Sequence, residues 1–246
     1  MNIQFGNKQI NYEIARGDRK KTVAIHVGPD AITVRAPKQL GQDRIIAIMK
    51  KKAGVIIDRQ ERIRRESSCH PLKEFVNGES FPYLGKQYRL KIIESVNGLN
   101  NKCHLINGRL QVEINKNLEG EKARDAVKEA LTNWYKVHAA EKINDRLPLL
   151  AKKLGRKPTA VQIKDQKRRW ASCSCTGVIR FNWKIIAAPV SVLDYLIVHE
   201  LCHLFYQNHS ISYWAKVRTI IPDFRRSRTW LKDHSFIIGD AGLSLP

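Results

Sequence analysis

The stretch from Val192 to Phe205, "VLDYLIVHELCHLF", limits the fold more than any other part of the chain. Its apolar residues surround the helical axis on nearly every side, so a helix formed here has no face for solvent and belongs inside the molecule. Yet it carries His199, Glu200 and His203. Buried ionisable groups need partners, so whatever encloses this helix must also satisfy them. Residues four apart leave one face of a helix one turn from each other, as two ligands of a tetrahedral ion require. Glu200 is turned about 100° from His199 around the axis, where its carboxylate reaches a water on such an ion without being a ligand. That is the H-E-x-x-H arrangement of two ligands and a general base. A hydrogen-bonded polar cluster in a core is the competing reading of the same residues.

A third histidine, His209, follows His203 by six residues, just past a helix end expected near Tyr206–Asn208. A chain turning back there, with Asn208 in a left-handed conformation, brings His209 under the same ion. The spacing equals that of the metzincins, but Tyr206 stands where those enzymes have glycine. The turn must therefore differ.

The flanking sequence divides into two expected parts. "QINYEIAR", "KTVAIHV" and "AITVRAP" alternate as strands, with a tight turn at "GPD" between the last two. From Gln42 to about Glu66 the period becomes helical, with Ile45, Ile46, Met49, Ala53, Ile56 and Ile57 at helical spacings and Lys50, Lys51, Lys52, Arg59, Arg62, Arg64 and Arg65 on the other face. Short strands follow in "EFVNGESFPYLGKQYRLKIIES", then a hairpin, "CHLINGRLQVEI", turning at Asn107-Gly108. Composition shifts near Asn117–Gly120. A long helix is expected from Glu121 to Leu154, kinked or restarted at Pro148 and capped by Gly155. "TAVQIKDQ" reads as a strand and "RRWASCSCTGVIRFNWKII" as a hairpin around Thr176-Gly177. Ser191, with Asp194 three residues on, is the expected N-cap of the histidine-bearing helix. The fold class is thus α+β: residues 1–119 as a mostly β region with one basic helix, and residues 120–246 as a domain with a backing helix, a short sheet and a buried active-site helix.

Charge narrows the partners. Forty-four Lys and Arg against 23 Asp and Glu give a net +21 and a pI near 10.0. Such an excess attracts polyanions, so DNA or another acidic surface is a candidate partner, with a generally basic, soluble surface as the alternative. The basic helix, "KDQKRR" and "DFRRSR" are the candidate patches. Five scattered cysteines, Cys69, Cys103, Cys173, Cys175 and Cys202, do not suggest a disulfide framework and fit a reducing cytoplasm. Cys173 and Cys175 alternate onto one strand face, and they and Cys202 are read as core. No apolar run approaches the roughly 18 residues of a membrane span.

The segment "RWASCSCTGVIRFNWKIIAAPVSVLDYLIVHELCHLFYQNHSISYW", Arg169 to Trp214, resembles the YgjP-like metallopeptidase family. That family shows an Arg-Trp-Gly-Ser-Cys-Ser run, a strand with an asparagine, a proline, His-Glu-Leu-x-His, and a third His followed by an aromatic pair. "FPYLGKQYRL" is similar more loosely, and Ala171 departs from the family's glycine. The family groups with the zincins and is distantly similar to SprT-like and WLM proteases.

The resemblance implies Zn²⁺ held by His199, His203 and His209, with Glu200 as catalytic base. It also implies that the strand "VIRFNWKI" lies at the cleft edge, where an extended substrate backbone pairs with it. The expected function is a cytoplasmic zinc-dependent peptidase acting on a protein or peptide. Two alternatives stay open: a nucleic-acid-binding protein with a structural zinc, and a peptidase directed to DNA-bound proteins. Tyr206 and Tyr213 are candidates for oxyanion donors, and Arg169 and Asn182 for cleft residues by position. No oligomeric state follows from the sequence.

Overall fold

A computed structural model describes residues 1–17, 22–28, 31–69, 73–95, 101–166 and 169–237. The chain forms two compact units, Met1–Pro71 and Leu72–Pro246. The composition shift at Asn117–Gly120 therefore lies inside the second unit, and the change from strand to helix is not where packing divides.

In the first unit, β1 (Asn2–Phe5) and β2 (Lys8–Asn11) form a hairpin, and β3 (Glu13–Gly17), β4 (Ala24–Val27) and β5 (Ile32–Pro37) form a sheet in the order β3-β5-β4. "QINYEIAR" breaks at the buried Tyr12 into two strands of different sheets. Pro29 and Asp30 of the expected turn lie outside the described residues. Helix α1 (Gln42–Cys69) lays Ile45, Met49, Ala53 and Ile56 against Ile3, Ile10, Ile32 and Val34. These spacings of three and four keep one stripe facing the strands. Lys50, Lys51, Lys52, Arg59 and Arg64 are exposed, while the side chains of Arg62 and Arg65 lie outside the described ones.

The second unit begins with a sheet of β6 (Ser80–Tyr83), β7 (Lys86–Ser95), β8 (Lys102–Ile106) and β9 (Arg109–Asn115), ordered β6-β7-β9-β8. The β8–β9 turn has φ of 50° at Asn107 and 71° at Gly108, the paired left-handed residues that a two-residue hairpin favours. Helix α2 (Gly120–Leu154) joins both halves of this unit. Val127, Leu131 and Tyr135 pack with Leu110, Val112 and Ile114 of the sheet, while Ile143, Leu147 and Leu150 pack with the histidine-bearing helix and its surroundings. A single rod serving two cores explains why the unit starts at Leu72.

The α2 helix is not interrupted at Pro148; Leu147 and Leu150 on either side are both held in the core. It ends as expected at Gly155, whose φ of 75° lets its N–H reach the carbonyls of Ala151 and Lys152.

A second sheet contains β10 (Ala160–Lys164), β11 (Ala171–Cys173) and β12 (Val178–Asn182), ordered β10-β12-β11. Strand β12 is central, parallel to β10 and antiparallel to β11. The expectation that "VIRFNWKI" supplies a cleft edge is therefore corrected: the strand is paired on both sides, and β10 and β11 are the edge strands among the described residues. Asn182 is buried as well, donating to the carbonyls of Gln166 (2.7 Å) and Arg169 (3.2 Å) and accepting from the N–H of Lys184 (3.1 Å). It secures the crossover into a 3-10 turn, Trp183–Ala187, and is not a cleft residue.

Helices α3 (Val190–Cys202), α4 (Ile211–Ile220) and α5 (Phe224–Asp233) complete the unit. Pro189, not Ser191, caps α3. Its fixed φ and missing N–H suit a helix start, which moves the first turn two residues earlier. Asp194 makes no capping box; it accepts from Arg146 Nε at 2.8 Å and Nη2 at 2.5 Å. The start of α3 also meets the β6–β7 turn, where a Cβ on Gly85 would come within 3.0 Å of Pro189 backbone.

Candidate metal centre

Helix α3 is buried on almost all sides, as its composition demands: Leu193, Ile197, Val198, Leu201 and Cys202 are all fully buried. It ends at Cys202, short of the expected Tyr206–Asn208, with His203 as its C-cap. The next turn tightens through i→i+3 bonds, His203 N–H to Glu200 O (3.1 Å), Leu204 to Leu201 (3.1 Å) and Phe205 to Cys202 (3.1 Å). His203 keeps φ −66° and ψ −15°, so it still leaves the same face as His199. The reversal to His209 uses no left-handed Asn208: among the described residues the non-glycine positive-φ positions are Phe75, Leu84 and Asn107. Ser210 then caps α4 by accepting from the N–H of Tyr213 (3.3 Å).

The result brings the three predicted histidines together. One ring nitrogen each of His199, His203 and His209 lies within 4.8 Å of the others, a group able to hold a metal ion. Nδ1 of His203 donates to the Tyr206 carbonyl at 3.0 Å. Nδ1 of His199 lies 2.7 Å from the Tyr213 hydroxyl, which itself donates to the His199 carbonyl at 3.0 Å. With that hydroxyl proton committed, Nδ1 is the donor, and in both rings the Nε2 lone pair is left to face the centre.

Two observations test whether the site suits a metal. Nε2 of His199 and of His209 stand 3.3 Å apart, and zinc bonds of ~2.0–2.1 Å at tetrahedral angles separate two nitrogens by about 3.3–3.4 Å. Glu200 is 4% exposed and its Oε2 has no hydrogen-bond partner. An orphaned carboxylate oxygen beside converging nitrogen lone pairs matches a centre that holds a cation and a polar reactant. The donor set fits zinc.

Electrostatics agree with this arrangement. Burial, helped by His203, His209 and Arg228, lowers the His199 pKa to about 3, so the ring is neutral and able to ligate. His209 is lowered for the same first cause, burial. Burial raises Glu200 to about 8, against a smaller opposite pull from Arg169. A carboxyl tuned upward holds and releases a proton near neutral pH.

A cleft of about 350 Å³ opens over the group, lined by Trp170, Ala171, Tyr195, Leu196, His199, Glu200, His209, Trp214, Arg228 and Leu231. Edge strand β11 thus reaches it through Ala171. Among other sequence candidates, Tyr213 is fully buried with its hydroxyl occupied by His199, and Tyr206 offers its carbonyl to His203. Neither residue is among those lining the cleft. Cys202 is buried as expected and Cys173 half-buried, but Cys175 is exposed because β11 ends at Cys173. Among the described residues no cysteine joins the histidine group. His138 stacks on Trp134 at 4.0 Å and His234 on Trp230 at 3.9 Å, outside it; His70 lies outside the described residues.

Sequence reasoning did not find the Tyr213–His199 bond, Tyr195 or Arg228. Tyr195 sits four residues before His199, a helical spacing that was legible. Arg228 belongs to "DFRRSR", which reads as a surface patch until α5 is folded beside the cleft.

The chain matches the family described as YgjP-like, metallopeptidase domain, over residues 21–234. Crystal structures of two metallopeptidase zymogens are similar over a smaller part. Abylysin from Pyrococcus abyssi is 24% identical, over 37% of this chain and 92% of that one, with a TM-score of 0.34. Jannalysin from Methanocaldococcus jannaschii is 26% identical, over 37% of this chain and 91% of that one, with a TM-score of 0.33. Comparison with curated proteins gives no match.

Proposed function

Because the chain belongs to the YgjP-like metallopeptidase family, a metal-dependent peptidase hydrolase, we propose that its metal is zinc, held by His199, His203 and His209, and that Glu200 is the catalytic base. The convergence of three imidazole nitrogens within 4.8 Å carries this reading. When bound, zinc supplies a Lewis acid that makes water a nucleophile near neutral pH and polarises a peptide carbonyl.

The chain's own residues do the rest. His199 and His203 present Nε2 because Tyr213 and the Tyr206 carbonyl hold their Nδ1 protons. Glu200 takes a proton at its unpartnered Oε2 from the attacking water and hands it to the leaving amine. The free edge of β11 offers backbone groups to an extended peptide running along the cleft.

A structural metal finds less support. Among the described residues three protein ligands converge and leave a fourth position open, whereas a structural zinc closes it with another side chain. The net charge of +21 and exposed Lys50, Lys51 and Lys52 support a peptidase that meets proteins on DNA, which a steep salt dependence of DNA binding tests. The four cysteines whose surroundings are described are free, which supports a reducing, cytoplasmic setting. No described helix is long and apolar enough to cross a membrane.

The deciding experiment measures metal content and coordination in protein purified without chelator, beside His203→Ala. About one zinc per chain, bound by three nitrogens and a water and lost in the variant, is the expected result. Metal content unchanged in His203→Ala overturns the ligand assignment.

A further inference from the structure

Arg228 stands in the cleft wall together with His199, Glu200 and His209. Its guanidinium lies 4.8 Å from the Trp214 ring centroid. Trp214 is stacked in turn on His209, at 5.4 Å and 21°, and on Phe224, at 5.1 Å and 12°. The cation therefore lies against an aromatic stack that includes one of the proposed ligands.

Arg228 is exposed to solvent, so a group entering the cleft can reach it. Arg228 lines the same cleft as His199 and His209, so its charge faces the space beside the seat that a doubly charged ion is proposed to take. Among the described residues no carboxylate pairs with Arg228. Among the described residues, the other cleft walls, Trp170, Ala171, Tyr195, Leu196 and Leu231, are uncharged, and Glu200 is the one acidic lining residue. An exposed guanidinium on the wall of this cleft favours entry of an anion. A guanidinium offers two parallel N–H donors that match a carboxylate, and its planar face is suited to the indole beneath it.

Resting on the peptidase reading, we propose that Arg228 determines specificity by binding a substrate carboxylate beside the scissile bond, so that the preferred substrates are peptides with an acidic group at that place. The carboxylate comes either from an Asp or Glu side chain or from a free C-terminus. The two share one chemistry and differ in where cleavage falls: within acidic stretches in the first case, near the chain end in the second.

The test uses the zinc-loaded full chain and a set of short peptides carrying Glu or Gln at each position in turn, each with a free or amidated C-terminus. Binding is read on zinc-loaded Glu200→Gln through Trp fluorescence, and kcat/KM on the unmodified chain, with zinc content measured in every sample. Acidic peptides are expected to bind at least ~10-fold more tightly than their Gln or amidated counterparts. Adding Arg228→Gln brings them down to the level of those counterparts, and Arg228→Lys keeps only part of the preference, since charge remains and the fork is lost. Preference for Glu at one position identifies a side chain, and preference for an unblocked end identifies the terminus. Equal binding of acid and amide peptides, absence of peptide binding, or a preference that survives in Arg228→Gln overturns the proposal. Discrimination without any turnover in the unmodified chain would instead remove the peptidase reading and leave Arg228 standing.

Discussion

The hydroxyl of Tyr213 lies 2.7 Å from Nδ1 of His199 and donates to the carbonyl of the same residue at 3.0 Å. Both contacts come from one fully buried side chain four residues past His209. A single phenol thus fixes the ring orientation and tautomer of the first proposed ligand and ties α4 to α3.

Removing only that oxygen isolates its contribution. Tyr213→Phe keeps the ring that packs against His203 at 4.8 Å and His209 at 4.7 Å. Loss of such an orienting partner weakens metal affinity by about 10–100-fold. Competition against a chelator of known affinity measures it. Unaltered affinity would show that packing, or the Tyr195 hydroxyl 3.5 Å from the same Nδ1, suffices to orient His199.

Glu200→Gln separates metal binding from chemistry. The amide nearly preserves shape and takes no proton, so zinc content is expected to persist while kcat falls about 10²–10⁴-fold. Retained turnover in the variant sinks Glu200 as base.

The pH dependence of metal-free stability follows from opposed shifts, Glu200 raised against His199 and, in the same direction as His199, His209 lowered. Glu200, raised from 4.5 to about 8, contributes stability below pH 4.5 that is lost as pH rises toward 8. His199, lowered from 6.5 to about 3, contributes stability above pH 6.5 that is lost as pH falls toward 3. The two oppose each other between 4.5 and 6.5, and only the Glu200 decline remains from pH 6.5 to 8. Its steepest slope is about 1.4 kcal/mol per pH unit. Urea unfolding with chelator present should show this decline relative to Glu200→Gln. Parallel curves for the two proteins in that window would contradict the burial of the carboxyl.

The Arg146–Asp194 pair joins α2 to α3 through two hydrogen bonds, with side chains 35% and 18% exposed. Partial exposure keeps its worth modest, so Asp194→Ala is expected to cost about 1–2 kcal/mol in unfolding free energy. A double-mutant cycle with Arg146→Met assigns that loss to the pair. Equal losses from Asp194→Ala with and without Arg146 would place the effect elsewhere.

Local chemistry made much of the protein legible from its sequence. Helical period places His199 and His203 on one face whatever surrounds them, the all-round apolar composition of α3 requires burial, and Asn107-Gly108 and Gly155 carry backbone preferences that act within a few residues. The missed features depend on partners far along the chain. The cap falls at Pro189 and not at the expected Ser191, and Asp194 pairs with Arg146 far along the chain, which no local pattern records. An alternating strand looks alike at an edge or in the centre, so only the pairing of β12 with both β10 and β11 gave the cleft edge to Ala171–Cys173. The motif determined which residues are able to hold a metal. Tertiary packing alone decided that Tyr213 would orient one of them and that Arg228, in a segment that reads as surface charge, would face the same cleft, because contacts between distant segments are set by how helices close on a core and not by any period in the chain.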